Sequence, residues 1–197
     1  SVLARASFET PIKHIINAPH EKLFTAKELH TMKYNYKISI IIPFYNEEAS
    51  LPHLIGPVTQ AVQQFSKDSE VIFVNDGSSD RSAALVEDWA HKNPQIKLIS
   101  FRKNFGQTAA WSAGIDFAAG DIIAFLDSDL QNNPTDIPKL IDKLDEGYDV
   151  VSGWRQDRKD KFWSRKFPSW AANVLISRIT GVHLHDYGCS LKVYRKE

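Results

Sequence analysis

Residues 121–129 constrain the fold more than any other stretch. They read Asp-Ile-Ile-Ala-Phe-Leu-Asp-Ser-Asp, five apolar residues in a row and then two carboxylates one residue apart. Gly120 stands before the run, and Asn132, Asn133 and Pro134 stand after it. A run this short, bounded by turn residues, predicts a strand buried on both faces, as in a parallel sheet. The acids then fall at or just past its carboxyl end, where open α/β sheets bind their ligands. Side chains two apart on extended backbone point the same way. Asp127 and Asp129 are therefore expected on one side, where they repel each other unless a cation lies between them or one is protonated. A hard divalent ion suits such a pair, because it takes oxygen ligands and leaves positions for substrate phosphates. Two surface acids in a turn would look the same in isolation, so the rest of the chain has to decide.

The surrounding pattern alternates. A β-branched strand is predicted over 38–43, a polar loop over 44–48, and a helix over 50–65 with Pro57 as a break or kink. A second strand follows at 70–75, then a turn whose Asp80 is placed to cap a helix over 81–91. A third strand at 96–101 leads through the loop 102–106 into a small-residue helix over 107–119. After the acid-bearing strand come a helix over 134–146 and a fifth strand at 149–152. Alternating strands and helices imply an α/β fold, a parallel sheet with helices on both faces. The polar clusters Tyr45-Asn46-Glu47, Asp76, Lys103-Asn104, Asp127 with Asp129, and Arg155 each follow a strand. In a parallel sheet those strand ends make one rim.

Composition narrows the partners. The 197 residues carry 24 basic and 24 acidic side chains, so no overall field argues for nucleic acid. One cysteine, Cys189, excludes an internal disulfide framework. No window approaches the roughly 20 apolar residues of a bilayer span. The first thirty residues lack the apolar core of a signal peptide.

Four ordered motifs carry a resemblance. Ile41-Ile42-Pro43-Phe44-Tyr45-Asn46-Glu47-Glu48, Val74-Asn75-Asp76-Gly77-Ser78-Ser79-Asp80, Arg102-Lys103-Asn104-Phe105-Gly106 and Asp127-Ser128-Asp129-Leu130-Gln131 resemble the family 2 glycosyltransferases of GT-A fold. That fold is Rossmann-like, a mostly parallel sheet flanked by helices. Within the family, residues 127–134, Ser152-Gly153-Trp154-Arg155 and residues 186–195 look like the branch that acts on polyprenyl phosphates, such as the dolichyl-phosphate mannose synthases and the undecaprenyl-phosphate glycosyltransferases. The resemblance implies that Pro43, Tyr45, Asn46, Glu47, Asp76, Lys103, Asn104 and Ser128 bind the nucleotide, with Asp76 accepting from the base. It implies that Asp127 and Asp129 hold Mg²⁺ or Mn²⁺ with help from Gln131. Arg155, Arg165, Lys192 and Arg195 would contact phosphate or acceptor. Asn132 and Asn133 depart from the Asp-Pro or Glu-Pro usual after Gln131, which points to an altered metal shell. Leu191-Lys192 departs from the Phe-Arg common in mannose synthases.

The resemblance also sets the expected organisation. Residues 1–35 read as an N-terminal extension with a short helix over 26–32, and His14, His20 and His30 lack ligand-like spacing. Residues 36–197 read as the catalytic domain, cut at a C-terminal edge beyond which a membrane-contacting region is expected. The expected activity is inverting transfer of a sugar from a UDP- or GDP-linked donor to a polyprenyl phosphate. The alternative is a hydroxyl acceptor in polysaccharide or glycan assembly. A phosphate acceptor is already ionised and needs cations, and Arg155, Arg158, Lys159, Lys161, Arg165 and Lys166 fall within twelve residues against Asp157 and Asp160. A solvated basic loop has the same composition. Phe162, Trp163, Phe167 and Trp170, leading into a predicted helix over 169–180, suit a bilayer interface or an ordinary core. A hydroxyl acceptor needs a general base, for which Asp186 is the candidate. The expected location is the cytoplasmic face of the membrane, or the cytoplasm for a fragment. A dinucleotide-binding oxidoreductase is disfavoured, because Pro43-Phe44-Tyr45-Asn46-Glu47 stands where a glycine-rich turn belongs.

Overall fold

The structure, a computed structural model, describes residues 12–17, 34, 36–153 and 189–196. The expectations for Arg155, Arg165, Asp186, the basic and aromatic stretch over 155–170, and the helices over 26–32 and 169–180 lie outside the described residues.

Strands β1 (Ile12–Asn17), β2 (Ile38–Phe44), β3 (Glu70–Asn75), β4 (Ile96–Phe101), β5 (Ile122–Phe125), β6 (Val150–Ser152) and β7 (Lys192–Arg195) form one sheet. Its order is β1-β4-β3-β2-β5-β7-β6. The inner block β4-β3-β2-β5 is parallel throughout. Both β2 and β3 are buried along their whole length, as strands covered on two faces must be. Alternate residues serve the two layers. Ile40, Ile42, Val71 and Phe73 pack with α1 (Leu51–Val62), α2 (Ser82–Lys92) and α4 (Ile137–Leu144). Ile41, Ile72, Val74 and Ile99 pack with α3 (Gln107–Phe117).

Four features depart from the sequence-based reading. The predicted fifth strand, β6, is not part of the parallel block; it pairs antiparallel with β7, which itself runs antiparallel to β5. Strand β7 went unpredicted, although Leu191 and Val193 are buried and Lys192 between them is not. Strand β1, inside the stretch read as an extension, joins the far margin of the sheet antiparallel to β4. Pro57 lies within α1, which continues past it to Val62 as one helix.

The strand order creates one crevice. Chain progression from β2 moves through β3 to β4 on one side, whereas β5 lies on the other side of β2. The crevice outside the carboxyl ends at such a reversal is the ligand position of open α/β sheets. Pro43 helps to open it. The Leu126 N–H donates to the Ile41 carbonyl at 3.1 Å, so the backbone groups of Ile41 and, two residues on, Pro43 face β5. Pairing with β5 ends at Ile41↔Phe125, so the missing N–H of Pro43 falls where no partner strand remains.

Candidate functional site

A cleft of about 430 Å³ occupies that crevice. Strand β2 and its loop supply Pro43, Phe44, Tyr45 and Glu47, and β3 supplies Asp76. The entry to α3 supplies Asn104, Gly106 and Gln107, and the segment after β5 supplies Asp127, Ser128 and Asp129. The extended backbone expected through the acids stops short: β5 ends at Phe125 and residues 128–130 form a bend, so Ser128 lines the cleft together with both acids. Leu126 and Ser128 are buried, and Asp127 and Asp129 open onto the cleft. Eight of the residues singled out from sequence therefore converge: Pro43, Tyr45, Glu47, Asp76, Asn104, Asp127, Ser128 and Asp129.

The walls are held by hydrogen bonds between loops. Asn46 takes a positive φ of 55°, which asparagine tolerates better than most residues. Its N–H donates to Ser78 Oγ at 3.0 Å, and its Oδ1 accepts from the Ser79 N–H at 2.8 Å. The Glu47 N–H donates to Ser82 Oγ at 2.8 Å, and the Glu48 N–H donates to Asp80 Oδ2 at 3.2 Å. Asn46 thus joins the loops after β2 and β3 and is not among the residues lining the cleft. Asp80 accepts from the Ser82 N–H at 3.0 Å from one residue before the N-cap, which is Arg81, so it braces the turn into α2 and is not the cap expected of it. Burial pushes its carboxyl pKa up, but the bonds from Ser82 and Glu48 outweigh burial and leave it lowered.

Asp76 is more than a surface acceptor. It is 4% exposed, and its two oxygens accept from the Phe105 N–H at 2.7 Å and the Gly106 N–H at 2.9 Å. A carboxylate has about four acceptor positions, so both bonds are compatible with a further donor from the cleft. Beside it the turn comes very close to the β4–α3 loop: a Cβ on Gly77, at φ 73°, would lie 2.3 Å from the Lys103 carbonyl carbon. Lys103 itself places its ammonium 5.3 Å from the Phe105 ring centre and does not line the cleft.

The acid pair has its own partners. Asp127 Oδ1 accepts from Gln107 Nε2 at 2.7 Å, and Asp129 Oδ1 accepts from the Gln131 N–H at 3.1 Å. Gln131 is exposed and acts here through its backbone. The two asparagines expected to alter a metal shell do other work. Asn132 is buried; its amide donates to Ser190 Oγ at 3.0 Å and accepts from Cys189 Sγ at 3.3 Å. Asn133 accepts from the Thr135 N–H at 3.0 Å and caps the short turn before α4. Both residues organise the exit from the acid loop.

The two basic residues of β7 lie at opposite ends of that strand. Lys192 pairs with Phe125, two residues short of Asp127, and its ammonium donates to the Cys189 carbonyl. Arg195 pairs with Ile122, at the opposite end of β5 from the acids. Its guanidinium donates to Asp145 Oδ1 at 3.0 Å and to the Leu144 carbonyl at 3.2 Å. The expectation that Arg195 meets a phosphate in this cleft is therefore corrected: antiparallel pairing carries it away from the acid end. Sequence reasoning missed Gln107 as a lining residue. Its signal was a polar side chain on the first residue of a helix that starts at the rim.

The donor chemistry fits a hard cation. Two carboxylates share the wall of an open cleft, and among the described residues no cluster of three or more His, Cys, Asp or Glu competes with them. An oxygen-seeking ion such as Mg²⁺ or Mn²⁺ takes one or two protein carboxylates and completes its shell with phosphate and water.

A mostly parallel sheet with antiparallel margins, flanked by helices, is the GT-A fold, and solved structures share that fold. A mannosyltransferase from Pyrobaculum calidifontis, in complex with GDP-Man and Mn²⁺, superimposes with a TM-score of 0.59 at 20% identity, over 83% of this chain and 45% of that one. Glucosyl-3-phosphoglycerate synthase from Mycobacterium tuberculosis, in complex with Mn²⁺ and UDP-Glc, gives 0.62 at 21% identity, over 91% and 64%. Residues 39–197 match the family described as glycosyl transferase family 2, and the chain belongs to that family. It is 45% identical over 161 residues to a dodecaprenyl-phosphate galacturonate synthase from Rhizobium johnstonii. That match covers 81% of this chain and 48% of the relative, so the chain spans about half the relative's length.

Proposed function

We propose that the chain carries the catalytic domain, residues 36–197, of an inverting glycosyltransferase. It moves a sugar from a nucleoside diphosphate to a polyprenyl phosphate. The observation that carries this reading is the placement of Asp127 and Asp129 together on the wall of the switch-point cleft. Membership of the family and the 45% likeness to a polyprenyl-phosphate sugar synthase support the donor and acceptor classes.

The cleft residues divide the work along its length. Tyr45, 46% exposed at the mouth, offers a ring face to a nucleobase, and Asp76 offers acceptor capacity to a ring N–H. Asp127 and Asp129 would hold Mg²⁺ or Mn²⁺ in the cleft. The chemistry such a cation supplies is neutralisation of charge on the leaving phosphate. A phosphate oxygen of the acceptor attacks the anomeric carbon from the face opposite the diphosphate. The new C–O bond forms as the old one breaks, the electron pair leaves on the diphosphate, and the configuration inverts. A phosphate monoester has a second pKa near 6, so no base has to remove a proton from it at neutral pH. Because such an acceptor lives in a bilayer, the domain works at the membrane's cytoplasmic surface.

The test is transfer of labelled sugar from a panel of UDP- and GDP-sugars to undecaprenyl phosphate, with Mn²⁺, Mg²⁺ or chelator. Transfer should require the metal, and Asp127→Asn or Asp129→Asn should lower turnover by roughly 10²–10³-fold. Metal-independent transfer, or transfer only to sugar hydroxyls, would overturn the reading.

A further inference from the structure

We propose that Gln107 is a positioning residue for the acid pair, its side-chain amide holding the Asp127 carboxylate in the orientation a divalent cation needs. The inference rests on the function proposed above. The contact joins two walls of the cleft, since Gln107 opens α3 and Asp127 follows β5. Its 2.7 Å length is that of a hydrogen bond to an ionised acceptor.

The amide can position Asp127 because its own backbone is held from both directions. Asp76 grips the Phe105 and Gly106 N–H groups immediately before it. The Gly106 carbonyl accepts from the Ala109 and Ala110 N–H groups immediately after it. Further along, α3 lies so close to β2 that a Cβ on Gly114 would fall 2.3 Å from Ile41 Cγ2. A carboxylate at the end of a strand can rotate about two side-chain torsions. A donor fixed to one oxygen sets the plane of the group. A neutral amide does this without the positive charge with which lysine or arginine would repel a cation. Partners that orient a metal ligand are typically worth 10–100-fold in metal affinity.

The experiment titrates Mn²⁺ into the full chain, followed by the electron paramagnetic resonance of free Mn²⁺, alone and with UDP or GDP. It compares the wild type with Gln107→Ala and with Gln107→Met, which keeps length but cannot donate. Metal-free melting temperatures are measured beside it. Both variants should bind Mn²⁺ about tenfold or more weakly, with metal-free melting unchanged, because Gln107 is exposed. Unchanged or tighter Mn²⁺ binding overturns the inference and leaves the proposed function standing. A loss of metal-free stability matching the loss of affinity also overturns it, by assigning Gln107 to the fold. Failure of the wild type to bind Mn²⁺ overturns both.

Discussion

At the scale of single residues, Asp76 shows how one carboxylate can serve fold and site together. It sits at the end of β3, is nearly fully buried, and receives two backbone N–H groups from the loop that starts α3. Asp76→Asn keeps the shape but turns one acceptor into a donor, which then faces an N–H. Leaving a buried donor unmatched costs about 1–3 kcal/mol. Urea denaturation should show a loss of that size, and nucleotide affinity should fall with it because the loop carrying Asn104, which leads into Gln107 at the start of α3, is released. The motif around Asp76 was legible in the sequence, and so was its place on the rim. That it binds its own chain as well was not, because its partners lie about thirty positions away.

At the scale of elements, α3 decides where the second wall of the cleft stands. Its inner face is built of Ala110, Ala113 and Gly114, and it rests directly on Ile41 and its neighbours. Two effects of Gly114→Ala oppose each other. Alanine favours helix over glycine by about 1 kcal/mol. The new methyl, however, would lie 2.3 Å from Ile41 Cγ2, in a strand buried along its whole length. Overpacking of this kind costs about 1–3 kcal/mol, so the clash should win. Gly114→Ala is expected to lower the melting temperature, and to weaken Mn²⁺ binding by shifting Gln107. A rise in melting temperature would show that α3 has room to move. The small-residue composition of this helix predicted close packing on a sheet. Strand β7 was harder to read, since four residues with period two give little signal, and its partner β5 is some seventy residues distant.

At the scale of the whole molecule, the end of the sheet away from the cleft is locked by a buried charge. Glu70 accepts from Ser39 Oγ at 2.7 Å and from the Ala119 N–H at 2.7 Å, and pairs with Lys97. The Gly120 N–H donates back to Ser39 Oγ at 2.9 Å. The network spans β2, β3, β4 and the turn that leads into β5. Burial drives the Glu70 carboxyl pKa up, but Lys97, the Ala119 N–H and Ser39 together hold it below its ordinary value of 4.5. A carboxyl whose folded pKa is depressed contributes stability above its unfolded pKa and loses it as pH falls through the folded one. The urea midpoint should therefore hold from pH 7 down to about 5 and then drop through the window below pH 4.5. Lys97→Met leaves the buried carboxylate without its cation and should lower stability at pH 7 by about 3–5 kcal/mol. An acid transition unchanged by Glu70→Gln would remove this network from the account.

Sequence alone determined the parallel block, the layering of helices on both faces, and the arrival of Asp127 and Asp129 just past the carboxyl end of a buried strand. These follow from local periodicity: apolar runs bounded by turns, and side chains that alternate every two residues. Only the tertiary structure decided which polar residues meet. Antiparallel pairing turned Arg195 away from the acids, Asn132 was drawn into the exit of their loop, and Gln107 reached across to Asp127. The physical reason is that hydrogen bonds and ion pairs act over a few ångströms of space, whereas the residues that make them lie tens of positions apart along the chain.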